Sequence, residues 1–542
     1  MRVPNWRKNY LSYLEISLIV LLAAVPLFVT FPYRVNIFLS WEGAYRISEG
    51  ELPFRDFGTP LGGMYWVIPA FFFKIFGPQM ITLVKAQVFI NILSGLAFRS
   101  ILKSLGVQPG IRAVSVLVYV LSFSFFNFWP WYNHTVIVYE FLALACLLRA
   151  IRTENRKAMF AWMAGAGLFT VCSFLTKQDA GGMCLGLGLL LLGYNALNTK
   201  KWIPLFTYII SFVVILLLFI GPFLSQGFGY WFNHGQAPHT ARISFGEIIA
   251  EFLGSSQWIK FYLFLILVLV FIKGLPALLK QRNEVLFLLL AVGVIGEAAI
   301  FQVTSYTPPD NNIFFHSFAI AYILHLLSGL TSIDFNRPRL VLVTSIGVLL
   351  WWSNVYWKYI QRVTDRAFPV SKEVVSSTGE NVVNRKTYIL GPVDSTEIPV
   401  NNWVFSSLPV FKNIYMPKET VDGINRIMSL DVIKNKKDLS VLNMSELTPL
   451  AAAIPYQYEK GTDMPLWYHL GVGMFNKQAE MFEKKISDKQ YDLVLFEYLP
   501  RLNNFYPFRV RDTLMNHYNK IDSFEAPRRG DTRGTIEVYQ RR

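Results

Sequence analysis

Long apolar runs recur along the first two-thirds of the chain, and they constrain its fold more than any other feature. The segments 12–32, 203–223 and 285–304 contain at most one charged residue each. Apolar segments of about 18 residues or more have the length that an α-helix needs to cross a bilayer. The sequence therefore predicts an α-helical polytopic membrane protein.

We predict about eleven transmembrane helices from runs of this kind. The first follows a basic N-terminus, MRVPNWRKNY, without a small-residue cleavage site, so we interpret it as an uncleaved helix rather than a signal peptide. The predicted spans lie near residues 12–32, 80–102, 112–130, 135–151, 158–176, 180–197, 203–223, 258–275, 285–304, 313–330 and 340–357.

Basic residues mark every second connection between these spans. Lys and Arg cluster within 149–157 and at Lys200 and Lys201, for example, and the chain carries a net charge of +15. Connections rich in Lys and Arg face the cytoplasm. The N-terminus is thus predicted to be cytoplasmic and the tail after Trp357 extracytoplasmic, which means periplasmic in a Gram-negative cell. Because the basic residues sit at span ends, nucleic-acid binding is not expected.

This orientation requires that LGGMYWVIPAFFFKIFG, residues 61–77, does not cross the bilayer. The stretch is short and contains Lys74, so we interpret it as an interfacial helix whose aromatic side chains dip into lipid. If it spans instead, the basic connections exchange sides.

Two of the predicted outer connections are long, and long connections are usually functional or disordered. The first, 33–79, carries the acidic stretch SWEGAYRISEGELPFRDFGTP, whereas the second, 224–257, carries His234, His239 and Arg242 among aromatic residues. Acidic groups in one outer loop and basic groups in another suit a site at the outer leaflet. Glu49 and Glu51 flank a glycine and are expected at the surface.

The composition changes after about residue 358, where charges become frequent and apolar runs end. KTYILG (386–391), YDLVLFEYLP (491–500) and the C-terminal TIEVYQ predict strands, and MFEKKISDKQ predicts a helix. We therefore divide the chain into a transmembrane domain, 1–358, and a small extracytoplasmic α/β domain, 359–542.

The order and sidedness of these motifs resemble the GT-C glycosyltransferases, a membrane class that includes the family 39-like protein O-mannosyltransferases and the aminoarabinose transferase of lipid A. The stretch WEGAYRISEGELPFRDFGTPLGGMYW is similar to the D-E-x-x-Y…G-x-x-P-Y-x-D…P-P-x-x-Y motif of their first outer loop. FFFKIFG matches the end of their interfacial helix, and FLTKQDAG matches a later L-T-K-G-P phrase. YWFNHGQAPHTAR is a looser counterpart of a third motif. The resemblance covers roughly residues 10–330.

This resemblance implies a GT-C fold, with about eleven transmembrane helices, an interfacial helix and the C-terminal domain. It also implies a hexosyl- or pentosyltransferase that takes a sugar from a polyprenyl-phosphate donor and gives it to a lipid, glycan or protein acceptor at the outer face. The alternatives are a transporter or flippase of lipid-linked sugars, a polysaccharide polymerase or ligase, and an inactive scaffold. No internal repeat of the kind typical of transporters is visible.

The family's catalytic aspartate corresponds to Trp41 here, and Glu42 is its neighbour. Either Glu42 or Asp56 supplies the carboxylate that accepts the proton of the attacking hydroxyl, or the chain has lost transfer activity. Asp56 could also be a turn residue. Where the family often places an aspartate at the start of the fourth span, this chain has Asn133 and His134.

The leaving lipid phosphate needs cations or hydrogen-bond donors to hold its charge. Lys177 is a candidate because lysines at outer span ends oppose the positive-inside tendency, although snorkelling to the interface would also explain it. Further candidates for binding the donor are Lys85, His234, His239 and Arg242, and the remaining candidates for the site are Tyr45, Arg55 and His316. The spacing of ligand residues predicts no metal site, while a weakly held Mg²⁺ or Mn²⁺ at the phosphate is compatible with these groups.

Overall fold

The computed structural model of the protein describes residues 5–33, 37–232, 245–305, 314–331, 333–354, 356–357, 360–361, 364, 402–466, 468, 474–500, 506–528 and 533–542. Fifteen α-helices precede residue 352 in this part of the chain. They are α1 (Asn5–Ala24), α2 (Ile37–Ser48), α3 (Met64–Phe76), α4 (Met80–Ser104), α5 (Pro109–Ser122), α6 (Tyr132–Arg152), α7 (Arg156–Phe174), α8 (Gln178–Thr199), α9 (Ile203–Ile220), α10 (Phe245–Ser255), α11 (Gln257–Lys273), α12 (Leu275–Leu279), α13 (Arg282–Ser305), α14 (Phe315–Thr331) and α15 (Pro338–Trp351).

Local sequence signals set the ends of these helices. Pro109 and Pro338 occupy the first position of α5 and α15, where a missing backbone N–H costs nothing. The Asn155 side chain caps α7 by accepting hydrogen bonds from the N–H groups of Lys157 and Ala158. Gly77 ends α3 with a φ of 81°, a conformation that glycine adopts without a steric penalty.

Each of the eleven predicted spans overlaps one of these helices, but the predicted spans 12–32 and 112–130 extend eight residues beyond the ends of α1 and α5. The long apolar helices make this a multi-pass membrane protein. Seven of the described helices are long and apolar enough to cross a membrane, and the bent pair α10–α11, with an angle of 87°, raises the number to eight. The apolar helices α3, α5, α14 and α15 are shorter, at 10–17 residues. The orientation of the chain in the bilayer stays a prediction.

Helix α3 occupies the stretch for which we predicted an interfacial helix. It has 13 residues and is therefore about 20 Å long, less than the roughly 30 Å of a hydrocarbon core. Tyr65 and Trp66 are buried on its protein side, while Phe71 and Ile75 are exposed. These properties favour a helix that lies at the interface.

Both long outer connections contain a short helix besides the segments discussed above. The acidic stretch begins within α2, a helix whose first eight residues are all buried. The second connection contains α10, an 11-residue helix.

The C-terminal region contains four helices and six strands in its described residues. Helices α16 (Lys418–Ser429), α17 (Asp431–Asn435), α18 (Phe475–Ser487) and α19 (Phe508–His517) accompany a four-stranded sheet. The sheet has the order β4 (Val441–Met444), β5 (Leu493–Tyr498), β7 (Thr535–Arg541), β6 (Tyr518–Glu525), with β4 and β5 parallel and the other pairs antiparallel. The predicted strands in 491–500 and TIEVYQ and the predicted helix before them are confirmed. KTYILG and the boundary near residue 358 lie outside the described residues.

A second, smaller sheet joins the two parts of the chain. Strand β1 (Phe31–Pro32), which follows α1 and replaces the end of the predicted first span, pairs in parallel with β3 (Ile414–Met416), which pairs antiparallel with β2 (Val404–Phe405). One hydrophobic core runs through this joint, from Trp41 and Trp66 to Leu495 and Val538 of the larger sheet. The start of the first outer connection is therefore packed into the C-terminal region.

Packing at Gly43 offers a test of this joint. A Cβ atom there would lie 2.1 Å from Cε2 of the buried Trp66 ring, so Gly43→Ala should separate α2 from α3 and destabilise the protein by about 1–3 kcal/mol. The melting temperature of the detergent-solubilised protein should fall accordingly. Gly182→Ala is the matched control, because a Cβ atom at that helical glycine meets nothing within 4 Å. Equal melting temperatures for the two variants would contradict the packing described.

Candidate functional site

A buried arginine organises the acidic stretch of the first outer connection. The Arg46 guanidinium donates from Nε to Glu42 Oε1 at 3.0 Å and from Nη1 to Glu51 Oε2 at 3.1 Å. Nη1 also reaches the carbonyl oxygen of Glu459 at 3.4 Å. Glu42 and Arg46 are four residues apart on α2, which places them on one face of the helix.

Aromatic rings enclose the same guanidinium. Its Cζ lies 3.9 Å from the centroid of the Tyr458 ring and 5.2 Å from that of Phe57. Cation–π contacts of this kind become stronger when they are removed from water. Arg46 is thus held by the first outer connection and by the C-terminal region at once.

Burial changes the proton affinity of these groups. It raises the pKa of Glu42 to about 7, against the opposing effect of the Arg46 guanidinium. Burial also raises the pKa of Glu51, and Arg46 again opposes the shift. The prediction that Glu51 lies at the surface was wrong, since the side chain is buried against Arg46 and lies 3.7 Å from Lys460 Nζ. Glu49 is exposed, as predicted.

Glu42 lines a small cavity of about 60 Å³ between α2 and the C-terminal region. Arg46, Asn443, Tyr458 and Tyr506 contribute to its walls. Water occupies about 30 Å³ per molecule in the liquid, so the space is suited to about two water molecules. Glu42 itself is only 3% exposed, so its carboxyl group is enclosed by protein.

Asp56 stands in a different environment. Its Oδ2 accepts hydrogen bonds from the backbone N–H of Leu52 at 2.8 Å and from Nε and Nη2 of Arg55 at 3.0 and 2.5 Å. Burial acts to raise the pKa of Asp56, but these hydrogen bonds outweigh it and lower the pKa. The carboxylate closes the turn in which it lies, while Arg55 is largely exposed.

The three outer segments that the sequence singled out meet in the structure. The N–H groups of Gly62 and Met64 donate to the carbonyl oxygens of Thr176 and Leu175, directly before Lys177. The backbone N–H of Gly227 donates to Phe54 O at 3.0 Å, which brings in the second long connection. Gln178 then reaches Trp231 O at 2.8 Å.

Lys177 lies at this meeting point, immediately before α8. Its Nζ is 3.1 Å from Asp179 Oδ2 and 4.4 Å from the centroid of the Phe301 ring. Because the side chain is 14% exposed and is held by protein partners, simple snorkelling into the interface does not describe it.

No protein-family model matches the sequence, and no curated protein matches it. Among solved structures, the apo form of ArnT, the aminoarabinose transferase from Cupriavidus metallidurans, is similar with a TM-score of 0.50 and 12% sequence identity, over 97% of each chain. The 542-residue chain therefore has the GT-C fold. The structure of the same ArnT bound to undecaprenyl phosphate gives a TM-score of 0.49 and 11% identity, over 98% of each chain.

The similarity to the ArnT structure confirms the fold class that the sequence resemblance implied. The structure also shows what Trp41 does at the position of the family's catalytic aspartate. Trp41 is fully buried, donates from Nε1 to Pro78 O at 2.9 Å and stacks on Tyr45 with ring centroids 4.6 Å apart. The tryptophan therefore packs the joint rather than supplying chemistry. Tyr45 is half-buried beside it, one turn after Glu42.

The other predicted site residues are distributed over several parts of the GT-C fold. Asn133 is buried and its Oδ1 has no hydrogen-bond partner among the described residues, while the neighbouring His134 is half-buried against Phe123. Lys85 contacts the Phe76 ring at 4.5 Å, near the end of α3. His316 Nδ1 lies 2.8 Å from the Tyr262 hydroxyl within a cluster of tryptophans. His234, His239 and Arg242 lie outside the described residues.

Sequence reasoning missed Arg46 and its partner Tyr458. The spacing of Glu42 and Arg46, four residues apart, was a usable signal for an ion pair once α2 is recognised as a helix. The contact of Tyr458 with Arg46 could not be predicted from a local sequence pattern, because more than 400 positions separate the two residues along the chain.

A buried acidic pair within the helix bundle was also missed. The side chains of Glu140 on α6 and Glu297 on α13 interact with each other, and both are at least 94% buried. Ionisable residues inside a membrane bundle are rare and commonly mark functional positions. Among the described residues, no group of three or more His, Cys, Asp and Glu side chains could hold a metal ion.

The pKa of Glu42 gives a testable pH dependence of stability. In the folded protein the pKa of Glu42 is about 7, above the ordinary value of 4.5. The protonated carboxyl therefore stabilises the fold fully below pH 4.5. This stabilisation is lost at about 1.4 kcal/mol per pH unit as the pH rises from 4.5 through 7. Melting temperatures at pH 5 and pH 8 should show the wild type losing stability relative to Glu42→Gln. Asp512→Asn, at an exposed position, serves as the control. If the difference in melting temperature between the wild type and Glu42→Gln changes with pH no more than the difference between the wild type and Asp512→Asn, the assignment is refuted.

Proposed function

We propose that this protein is a membrane glycosyltransferase that moves a sugar from a polyprenyl-phosphate-linked donor to an acceptor at the outer face of the membrane. The observation that carries the proposal is the enclosed carboxyl group of Glu42, with a pKa near 7, where the first outer connection meets the C-terminal region. A base with a pKa near the working pH is the most effective at accepting a proton during a reaction. The GT-C fold supports the assignment as the setting of this site.

In the proposed reaction, the oxygen of the acceptor hydroxyl forms a bond to the anomeric carbon of the sugar, and Glu42 accepts the proton of that hydroxyl. The bond between that carbon and the phosphate oxygen breaks, and polyprenyl phosphate leaves with the electron pair. Arg46 fixes the orientation of the Glu42 carboxylate through the 3.0 Å hydrogen bond. A site closed to bulk water also protects the sugar from hydrolysis.

Asp56 is the other carboxylate that the sequence offered, and its contacts favour a structural role. Three hydrogen bonds to one oxygen and a lowered pKa make it a weaker base than Glu42. Its backbone carbonyl also holds Gly461 at 2.8 Å, so the turn around Asp56 positions the C-terminal segment beside Arg46.

Lys177 is proposed to stabilise the leaving phosphate. It stands at the N-terminal end of α8, where the helix dipole favours anions. Asp179 and the Phe301 ring hold the ammonium group at the end of the bundle. The nearby contacts of Gly62 and Met64 place the first outer connection directly beside it.

Substitution of the two carboxylates tests the assignment of the base. Glu42→Gln should reduce transfer by about 100-fold or more, the typical contribution of a general base, whereas Asp56→Asn should retain transfer to the extent that it folds. The measurement is the glycan profile of the cell envelope in a deletion strain complemented with each variant, with Asp512→Asn as the control. Full activity of a stably expressed Glu42→Gln protein would rule out Glu42 as the base.

The lipid donor can be tested without knowledge of the sugar or the acceptor. The protein is purified in mild detergent, and the bound lipid is extracted and analysed for polyprenyl phosphate by mass spectrometry. We expect the carrier lipid with the wild type, a loss with Lys177→Ala, and no change with Lys201→Ala, an exposed lysine at the other end of α8. Equal carrier content in both variants would remove Lys177 from the donor site.

A further inference from the structure

A second cavity lies beside the C-terminal end of α2, and it is much larger than the one at Glu42. Its volume is about 730 Å³, within the range of about 300–1,000 Å³ that is typical of small-molecule sites. Side chains of both parts of the chain line it: Tyr45 from α2, Glu49 directly after α2, and Lys437, Asp438, Tyr456 and Gln457 from the C-terminal region.

The chemistry of this lining is polar. Glu49, Lys437, Asp438 and Gln457 are all exposed, and together they offer both donors and acceptors of hydrogen bonds. Three apolar, non-aromatic side chains larger than alanine contribute to the walls: Leu439 and Ile454 are buried in the protein core, and Pro455 is exposed. A lipid tail would find little apolar surface here, whereas a molecule with many hydroxyl groups would find partners for them.

Tyrosine rings complete the lining. Tyr45 is half-buried, with Trp41 stacked on it at 4.6 Å, and Tyr456 lies against Tyr458 at 5.8 Å between ring centroids. The faces of aromatic rings carry partial negative charge, and the C–H groups on the flat face of a pyranose ring are complementary to them. The half-buried ring of Tyr45, beside charged and amide groups, is therefore a suitable surface for a saccharide, whereas Tyr456 is buried and supports the wall.

The same tyrosines connect the large cavity to the proposed base. Tyr45 follows Glu42 by three residues on α2, and its ring lies 6.2 Å from that of Tyr458. Tyr458 contacts Arg46 and lines the small cavity at Glu42. Because the small cavity has room for about two water molecules only, a sugar fits in the larger one and must approach Glu42 past this group of rings.

We propose that the 730 Å³ cavity binds the saccharide portion of the acceptor. The inference rests on the proposed transferase function and narrows it, since it names a carbohydrate as the group that receives the sugar. Glu49 and Asp438 accept hydrogen bonds from the acceptor hydroxyls, and Tyr45 supports the ring that carries the attacking oxygen.

The test uses the full-length protein in detergent and the oligosaccharides released by mild acid from the envelope of the source organism. Saturation-transfer NMR should show contact of these saccharides with the wild type. The double variant Glu49→Gln, Asp438→Asn should weaken their binding about tenfold or more, because each removed acceptor costs about fivefold. Both positions are exposed, so the fold should be retained, which the melting temperature checks, and Asp512→Asn should bind as the wild type does.

The same preparations are analysed for co-purified polyprenyl phosphate, so that the two proposals can fail separately. Saccharide binding that is lost in the double variant while the carrier lipid is retained supports the acceptor cavity. If neither the released oligosaccharide nor the intact glycolipid binds, or if their binding is unaffected by the double variant, while the carrier lipid is present, the cavity assignment is overturned and the transferase proposal stands. Saccharide binding that depends on the two acids, in a protein that holds no carrier lipid, supports the cavity and counts against the lipid-linked donor. A parallel titration with intact envelope glycolipid distinguishes a lipid-borne saccharide, which binds only in this form, from a free glycan, which binds in both.

Discussion

A guanidinium buried between two carboxylates is the constraint on which the rest of the site depends. Removing charged groups from water is costly unless they are paired and hydrogen-bonded. Arg46 meets this requirement only when α2, Glu51 and residues 458–459 are together, because each provides at least one of its contacts. The first outer connection and the C-terminal region must therefore close on each other before this charge is satisfied.

The same joint is reinforced from the side of the sheet. The Tyr33 hydroxyl donates to the carbonyl oxygen of Glu446, whose carboxylate pairs at 2.7 Å with Arg528. Arg528 also pairs with Glu497, and none of the three charged side chains is exposed. Since breaking one partner of a buried pair leaves an uncompensated charge, this second cluster fixes the sheet against the segment that leads into α2.

Under the proposed function, this architecture separates two tasks: holding the base and binding the acceptor. The carboxyl group of Glu42 lies in a small cavity that shields it from bulk water, whereas the larger polar cavity beyond Tyr45 has room for a saccharide. Both spaces share α2 as a wall. A helix held at both faces by buried ion pairs and aromatic rings is a rigid support for groups that must be positioned accurately.

The sequence alone determined the membrane helices, the strands of 491–500 and the C-terminus, and the acidic stretch as the candidate site. Apolar runs and short β-branched segments are local patterns, and the bilayer and the sheet impose their lengths directly. The similarity of the motifs to those of the GT-C class added the fold, which the structure bears out over nearly the whole chain.

Only the tertiary structure decided what the individual acids do. Glu51 had the pattern of a surface residue and is buried, Asp56 closes a turn, and Glu42 is paired with an arginine that sequence reasoning passed over. Tyr458 and Glu459, which complete the surroundings of that arginine, come from a distant part of the chain. Burial and charge pairing depend on contacts between such distant segments, and local sequence patterns do not predict these contacts.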